Sequence, residues 1–433
     1  MTSPRHTHPP PSDLDHADPL AGFRDRFNIP RQPDGSPVVY LCGNSLGLQP
    51  ASTREYVNEP LDDWAAYGVE GHFRGKHPWM PYHELLTEQT ARLVGAAPQE
   101  VVVMNSLTVN LHLMLVSFYR PTRERHKIVI EANAFPSDRY AVESQIRYHG
   151  LEPSASLVEL QPRHDEATLR TEDILEYVGR EGPSVAVIML GGVNYYSGQA
   201  FEMEAITRAG RAAGCVVGFD LAHAAGNLVL KLHDWGVDFA VWCSYKYLNG
   251  GPGSTAGCFV HERYAGKTDI PRFAGWWGHN KQTRFLMGPQ FEPIPGAEGW
   301  QLSNPAILPM AALRASMDIF DEAGMNALRT KSVKLTGYLD SLVRGNEGKS
   351  FEIITPNDPT QRGAQLSIKV YNNGRSVFNA LTEMGIICDW REPDVIRVAP
   401  VPLYNSYSDV SQFARALGEL IEGGGQKAGS KRR

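Results

Sequence analysis

Two residues at the ends of apolar segments could perform chemistry together. Asp220 ends the segment CVVGFD at 215–220, and Lys246 follows the segment FAVWCS at 239–244. A lysine amine can form a Schiff base with the aldehyde of pyridoxal phosphate, and a carboxylate can keep the pyridine nitrogen protonated, so that the ring acts as an electron sink. A strand-end aspartate and a surface lysine also occur together without this cofactor, so the pair alone leaves both interpretations open.

The residues around the pair favour the cofactor interpretation. His223 stands three positions after Asp220 in GFDLAHAAG, and Lys246 belongs to SYKYLNGGPG, which continues into a glycine-rich loop. In open α/β sheets, ligands bind beyond the carboxyl ends of the strands, where both residues are expected. The sequence therefore predicts a site for pyridoxal phosphate at this edge of a sheet.

Short segments rich in β-branched residues alternate with longer amphipathic segments, and the short segments are the predicted strands of the sheet that carries the site. The predicted strands lie at 38–42, 101–104, 127–131, 184–190, 215–220 and 239–244, with helical stretches between them such as MEAITRAGRAA at 203–213. Alternating strands and helices indicate an α/β fold with a mostly parallel sheet. From about Pro305 a long helical run leads to short strands and a final helix, which predicts a smaller α+β domain.

The same patterns predict how the chain is divided. The predicted parts are a disordered leader (1–20), an N-terminal segment (21–60), a large cofactor-binding domain (61–305), a small C-terminal domain (306–423) and a flexible tail (424–433). The leader is rich in proline, histidine and aspartate, which is typical of a solvated tail. Its histidines could bind stray metal, but no built metal site is expected.

Composition excludes several classes of protein. The 433 residues include 42 Lys and Arg against 48 Asp and Glu, a net charge of −6, whereas dedicated nucleic-acid binders carry a basic surplus. No apolar run approaches the ~20 residues of a membrane span, and the N-terminus lacks the apolar core of a secretory signal. Five cysteines without a C-x-x-C pair form neither a disulfide framework nor a zinc site built on paired cysteines. We therefore expect a cytoplasmic enzyme that contacts neither nucleic acid nor membrane.

Seven segments in collinear order resemble one enzyme family. They are YLCGNSLGLQP, FPSDRYAVESQ, GFDLAHAAGN, SYKYLNGGPG, GWWGH, WQLSNP and IRVAPVPLYNS, between about residue 38 and about residue 408. Together they resemble kynureninases, which are fold type I pyridoxal-phosphate enzymes related to aspartate aminotransferase. The resemblance implies a large domain with a mostly parallel seven-stranded sheet between helices, and a smaller α+β domain. It also implies hydrolytic cleavage of L-kynurenine or 3-hydroxy-L-kynurenine to the anthranilate and L-alanine, in a homodimer with shared active sites.

The resemblance also implies which residues bind the cofactor. Lys246 would hold it covalently and move the Cα proton, Asp220 would pair with the pyridinium, and Phe135 would stack on the ring. A helix N-terminus near NSLTVN would bind the phosphate, because such ends attract anions, and Tyr245 would donate to the same phosphate. The complete cofactor set is Leu107, Thr108, Phe135, Ser137, Asp138, Asp220, His223, Tyr245, Lys246, Trp276 and Asn304.

Substrate residues follow from the same resemblance. Arg397 would bind the α-carboxylate with two parallel hydrogen bonds. Trp276 and Asn304 would reach the cofactor or substrate across the dimer interface, and Asn304 with His72 would favour a 3-hydroxy or otherwise ring-substituted substrate, with His77 as a rival for His72. The implied substrate-binding set is Ser45, His72, Tyr196, Asn304 and Arg397, and the implied catalytic residues are Lys246, Tyr245 and Asp220.

Four alternatives remain at this level. The pattern GNSLG at 43–47 fits the nucleophile elbow of α/β-hydrolases, with Ser45 as nucleophile, but only one predicted strand precedes it. A cysteine desulfurase would need a mobile reactive cysteine, for which Cys388 is the candidate, and an aminotransferase would form a keto acid. A non-catalytic binding protein would not need Lys246. The pathway is also open, whether NAD biosynthesis, tryptophan catabolism or secondary metabolism.

Overall fold

The computed structural model describes residues 9–344, 348 and 350–429, and elements are numbered in chain order. The strands are β1 (Phe27–Asn28), β2 (Val39–Tyr40), β3 (Gln49–Pro50), β4 (Val101–Val103), β5 (Lys127–Glu131), β6 (Leu157–Leu160), β7 (Val185–Gly191), β8 (Val216–Asp220), β9 (Phe239–Trp242), β10 (Gly257–Val260), β11 (Phe351–Ile353), β12 (Leu366–Val370), β13 (Ile386–Ile387), β14 (Asp389–Arg391) and β15 (Val395–Val398). The α-helices are α1 (Pro11–His16), α2 (Thr53–Tyr67), α3 (Thr87–Val94), α4 (Leu107–Phe118), α5 (Pro136–Tyr148), α6 (Pro153–Ser156), α7 (Thr171–Glu181), α8 (Met203–Ala212), α9 (Leu232–Trp235), α10 (Ile307–Ala323), α11 (Met325–Arg344), α12 (Gly374–Glu383) and α13 (Tyr407–Gly429).

A seven-stranded sheet forms the centre of the large domain, in the order β4-β10-β9-β8-β7-β5-β6. The neighbours from β9 to β6 are parallel, and β10 is antiparallel to both β9 and β4. Apolar residues continue without interruption along β7 because both faces of the sheet are covered. Side chains alternate between two core clusters, so that Ile188 packs on one face while Val187 and Met189 pack on the other. The predicted fold class is confirmed.

The small domain is built on a four-stranded antiparallel sheet in the order β11-β12-β15-β14. Its core includes residues from α11, α12 and α13. Two residues from the N-terminal segment, Val39 and Leu41, complete that core, and β2 pairs in parallel with β13. The part of the N-terminal segment around β2 therefore packs in the small domain, whereas Phe27 and Leu48 pack in the large-domain core.

Three details differ from the predicted division. The interpretation of the leader as disordered is wrong for residues 9–20, because Asp15 accepts hydrogen bonds from the Tyr407 and Ser408 backbone N–H groups and Asp18 pairs with Lys331 at 2.6 Å. Helix α10 begins just after the predicted boundary at 305, but its apolar side chains pack in the large-domain core. The backbone of α13 continues to Gly429, inside the predicted tail, while residues 1–8 and 430–433 lie outside the described part of the chain.

Within the described residues, no helix combines the length and the apolar character that crossing a membrane requires.

Candidate active site

The carboxyl ends of the parallel strands position the chemistry-bearing side chains. Asp220 ends β8, Glu131 ends β5 and Gly191 ends β7, while Lys246 follows β9. Parallel strands present these ends at one edge, so the side chains converge although they are far apart in the sequence. The pocket at this edge is lined by Leu107, Thr108, Glu131, Phe135, Ser137, Asp138, Gly191, Val193, Tyr195, Asp220, Ala222, His223, Tyr245 and Lys246.

Three buried carboxyl groups form the floor of this pocket. Asp220 accepts a hydrogen bond of 2.6 Å from the Ala222 backbone N–H, and burial raises its pKa. Burial and the charge of Asp220 raise the pKa of Asp138 well above its usual range. Burial raises the pKa of Glu131 to about 7. One Asp138 oxygen has no hydrogen-bond partner, so the floor presents more buried acceptors than the chain's own cations satisfy.

Lys246 stands beside two of the predicted cofactor residues. Its Nζ atom lies 3.1 Å from His223 Nε2 and 5.7 Å from the centre of the Phe135 ring. Burial and the neighbouring Lys246 charge lower the pKa of His223 well below its usual range, so the imidazole is neutral and accepts a hydrogen bond from the lysine. This bond fixes the direction of the amine that the predicted chemistry requires.

Helix α4 supplies an anion site at the other side of the pocket. Its first residues, Leu107 and Thr108, line the pocket, and the first backbone N–H groups of a helix have no partner within the helix. Asn105, just before the helix, has a φ of 51°, a left-handed conformation that asparagine tolerates better than most residues. The hydroxyl groups of Thr108 and Ser137 lie 2.9 Å apart at this end and are hydrogen-bonded to each other, so the pair retains one hydroxyl proton to donate to an anion.

Arg397 lies behind the pocket wall on β15. Its side chain is fully buried, donating to the Tyr195 carbonyl at 2.6 Å and to the Asp389 carboxylate at 2.7 Å. The Asp389 carboxylate is thus the ion-pair partner of Arg397 within the chain. The Arg397 Nε atom has no hydrogen-bond partner. The guanidinium is therefore held by two groups and retains a donor for a further acceptor.

Of two adjacent tyrosines, the one in the pocket is not the one predicted to bind substrate. Tyr195 lines the pocket and its ring meets the Phe135 ring at 5.3 Å, whereas the predicted Tyr196 is outside that lining. Tyr196 contributes its backbone carbonyl, which accepts from Ser367. Burial and the neighbouring Cys243 raise the pKa of Tyr245, so its phenol keeps its proton and acts as a donor. The lining residues that the sequence interpretation missed are Glu131, Gly191, Val193, Tyr195 and Ala222.

Four further predicted residues are not brought into the pocket of this chain. Ser45 lies in the turn after β2, where its backbone N–H donates to Cys42. His72 is half-buried, Asn304 is exposed and Trp276 is 40% exposed. His77, the rival of His72, is held between Glu59 and Arg314. Within one chain, the structure thus assembles the predicted cofactor residues except Trp276 and Asn304.

Two alternative interpretations lose their structural basis. The segment GNSLG lies between the two-residue strands β2 and β3, outside the seven-stranded sheet, so it does not form the strand–turn–helix elbow of a hydrolase. Cys388 is buried between β13 and β14 in the small-domain core, and burial raises the pKa of its thiol. A buried protonated thiol is inert, so Cys388 does not meet the requirement for a mobile reactive cysteine.

The residues of the pocket fit pyridoxal phosphate. The carboxyl floor pairs Asp220 with Asp138, one of whose oxygens has no partner, so it can accept from a pyridinium N–H. The helix N-terminus offers donors for a phosphate. Lys246 places an amine between these two ends, and Phe135 and His223 offer ring faces. The pocket therefore offers a partner for the ring nitrogen, the aldehyde and the phosphate of the cofactor.

Comparisons with known proteins identify the family of the chain. The kynureninase C-terminal domain model matches residues 328–417. A kynureninase from Koribacter versatilis is 67% identical over 93% of this chain and 95% of its own length, and one from Myxococcus xanthus is 62% identical over 93% and 95%. The chain belongs to the kynureninase family.

Solved structures of other enzymes have the same fold as this member of the kynureninase family. A cysteine desulfurase from Thermococcus onnurineus has a TM-score of 0.72 at 17% identity, covering 96% of this chain and 99% of its own. A variant of the enzyme C-DES, with glycine covalently linked to its PLP cofactor, has a TM-score of 0.74 at 16% identity, covering 92% and 99%. At this identity the likeness concerns the fold, which is that of fold type I enzymes.

Glu131→Gln should change the pH dependence of the cofactor-free enzyme's stability. Because the pKa of Glu131 is raised to about 7, the folded state holds a proton that the unfolded state has released. The contribution of Glu131 to the free energy of unfolding is therefore full below about pH 4.5 and falls by about 3 kcal/mol as the pH rises to about 7. Glutamine is neutral throughout, so the variant should lack this dependence. Urea unfolding of both proteins at about pH 5 and about pH 8 measures the difference, and equal pH dependences would contradict the assignment.

Proposed function

We propose that the enzyme hydrolyses the Cβ–Cγ bond of L-kynurenine or a ring-substituted kynurenine, with pyridoxal phosphate as cofactor. The observation that carries the proposal is the convergence of Lys246, Asp220 and the α4 N-terminus in one pocket of a chain belonging to this family. Water supplies its hydroxyl to the aromatic acyl carbon and its proton to Cβ. The products are an anthranilate and L-alanine.

Four side chains in and beside the pocket have distinct roles in this reaction. When bound, pyridoxal phosphate supplies an electron sink that stabilises negative charge on the substrate's α-carbon. Lys246 Nζ takes the α-proton, and the neutral His223 directs that amine. Asp220 keeps a proton on the pyridine nitrogen, since a buried carboxylate favours the charged partner beside it. Arg397 has a free Nε donor for the substrate carboxylate.

Tyr245 is our candidate for moving the protons during bond cleavage. Its phenol lines the pocket, and its raised pKa keeps it protonated as a donor to the substrate carbonyl or to Cβ. We expect Tyr245→Phe to lower turnover by about 10²–10³-fold at saturating cofactor, because general acid catalysis contributes about this much. Tyr247→Phe is the matched control, since the buried Tyr247 hydroxyl has no hydrogen-bond partner. Full turnover of the Tyr245 variant with only weaker cofactor binding would overturn the role.

A homodimer with shared sites would explain why His72, Trp276 and Asn304 lie outside the pocket of their own chain. His72 contacts the rings of Phe73 and Trp79, and Trp276 contacts Phe285. Phe73 is 63% exposed and Phe285 is 53% exposed, which is unusual for large apolar side chains and typical of an interaction surface. We propose that His72, Trp276 and Asn304 reach the pocket of a second copy. Sedimentation of the cofactor-loaded protein tests the dimer, and a monomer at micromolar concentration would contradict it.

The substrate preference depends on that arrangement. The half-buried His72 and the exposed Asn304 can bind a ring hydroxyl in the partner's pocket, whereas His77 is held by Glu59 and Arg314. Polar groups that bind a hydroxyl discriminate against the analogue that lacks it, because they are then left unpaired. We therefore propose a preference for 3-hydroxykynurenine or a related ring-substituted form. The cytoplasmic location expected from the sequence stays a prediction.

Product analysis tests the function directly. The cofactor-loaded enzyme is offered L-kynurenine and 3-hydroxy-L-kynurenine in parallel, and alanine with the matching anthranilate is the expected outcome. The ratio of the two rates tests the preference, with His72→Ala as the variant and His77→Ala as its comparison. A keto acid would indicate an aminotransferase, and release of sulfide from cysteine would indicate a desulfurase; either result without anthranilate overturns the proposal.

A further inference from the structure

A cavity of about 330 Å³ lies in the segment that connects β10 to α10. Trp276 and Phe291 belong to its walls, and Arg284 lines it as well. None of its lining residues is shared with the pocket that contains Lys246 and Asp220. The cavity is therefore separate, within this chain, from the site of the proposed reaction.

Arg284 is a buried cation that has no carboxylate partner among the described residues. It is 3% exposed, and its guanidinium lies 4.4 Å from the centre of the Trp277 ring. Its Nη2 atom donates to the carbonyls of Trp277 at 2.6 Å and His279 at 3.2 Å. Its Nε atom has no hydrogen-bond partner, and no hydrogen bond of the described residues involves Nη1. Because buried charges are ordinarily paired, this guanidinium lacks an anion.

The acidic side chains near Arg284 do not supply that anion. Glu84 and Glu298, whose charges act on Arg284, are bonded instead to Lys281 at 2.9 Å and 2.6 Å. Among the described residues that line the cavity there is no aspartate or glutamate. His279, the other titratable residue of the lining, is neutral because its Nδ1 atom accepts from a backbone N–H at 3.0 Å. The cavity therefore presents one uncompensated positive charge.

We propose that this cavity binds an aromatic carboxylate, with the carboxyl group on Arg284 and the ring against Trp276 and Phe291. The planar guanidinium matches the geometry of a carboxylate, and aromatic residues offer apolar surface to a flat ring. The volume lies at the lower end of the roughly 300–1,000 Å³ of ligand pockets, which suits an acid with a single ring. The anthranilate of the proposed reaction belongs to this class, and this relation, unlike the site itself, rests on the proposed function.

The test is calorimetric titration of the full-length, cofactor-loaded enzyme with benzoate, and with benzyl alcohol, which has the ring without the carboxylate. We expect benzoate to bind at least about 10-fold more tightly than the alcohol, because hydrogen bonds between charged groups contribute at least this much. Binding is measured without turnover, so a failure here is distinct from a failure of the proposed function. Absence of binding at millimolar benzoate, or equal affinity for the two compounds, would overturn the proposal.

A pair of glutamine variants locates the binding site. Gln290 is an exposed residue of the lining, so Gln290→Glu adds a negative charge at the cavity and leaves the bonds of Arg284 intact. We expect benzoate affinity to fall at least about 10-fold, because like charges placed close together repel. Gln282→Glu is the matched control, since Gln282 is an exposed glutamine of the same segment outside the lining, and it should bind benzoate as the parent does. Unchanged affinity in the Gln290 variant would assign benzoate to another cation, such as Arg397 in the active site, and would overturn the proposal.

Discussion

Lys246→Ala should lower turnover of the cofactor-saturated enzyme by at least about 10³-fold, because positioned proton transfer alone contributes about 10²–10⁴-fold. Lys246 is the amine in the pocket, directed by His223 and lying over the Phe135 ring. The cofactor should still enter, since the helix N-terminus and the carboxyl floor are intact. It should not stay attached after borohydride reduction and denaturation, whereas the parent enzyme should retain it covalently.

The control for this variant is Lys267→Ala, which removes an exposed lysine that contacts Tyr264. Its turnover and its covalent cofactor content should match those of the parent. Covalent retention of the cofactor in the Lys246 variant would show that another amine forms the Schiff base, and would contradict the role of Lys246.

Asp220→Asn is expected to lower turnover by about 10²–10³-fold, since removing one partner of a buried charge pair costs about 3–5 kcal/mol. The asparagine oxygen can still accept the hydrogen bond from Ala222, so the local backbone should be retained. The loss should follow from the ring nitrogen of the cofactor, which would no longer be held protonated. The visible absorption of the bound cofactor, followed across pH, measures that change separately from turnover.

Asp238→Asn is the matched control for this prediction. Asp238 is also a buried aspartate, but it lies at the amino edge of the sheet, where it accepts from Val217 and pairs with Arg263. Its replacement should lower the free energy of unfolding while leaving the absorption of the bound cofactor unchanged. An Asp220 variant with the parent's absorption and turnover would contradict the pyridinium role.

Much of the active site could be predicted because its residue types are specific. Lys246, Asp220 and His223 stand in recognisable motifs, and the ends of apolar strands place them at the carboxyl edge of the sheet. Glu131 was missed although it ends a predicted strand, because a single strand-end carboxylate carries no motif. Its importance follows from its position beside Gly191, to which it is hydrogen-bonded, and this depends on strand order.

The errors in the predicted fold have a common physical cause. The composition of residues 9–20 is that of a solvated tail, but Asp15 and Asp18 bind groups on α13 and α11. Those partners lie more than 300 positions away, so no local pattern reveals them. The same limit applies to Tyr195 and Tyr196, because adjacent tyrosines look equivalent until the backbone direction is known. Long-range contacts, rather than the patterns of single segments, determine whether residues 9–20 are ordered and which tyrosine lines the pocket.

The pairing of β2 with β13 has a consequence for the order in which the chain folds. The large-domain sheet is complete once residues 101–260 are available, but Val39 and Leu41 pack in a core whose other members begin at Leu335. During synthesis, the apolar side chains of Val39 and Leu41 therefore stay uncovered until the last quarter of the polypeptide has left the ribosome. Closing so long a loop is slow, and the small domain should be the last part to form.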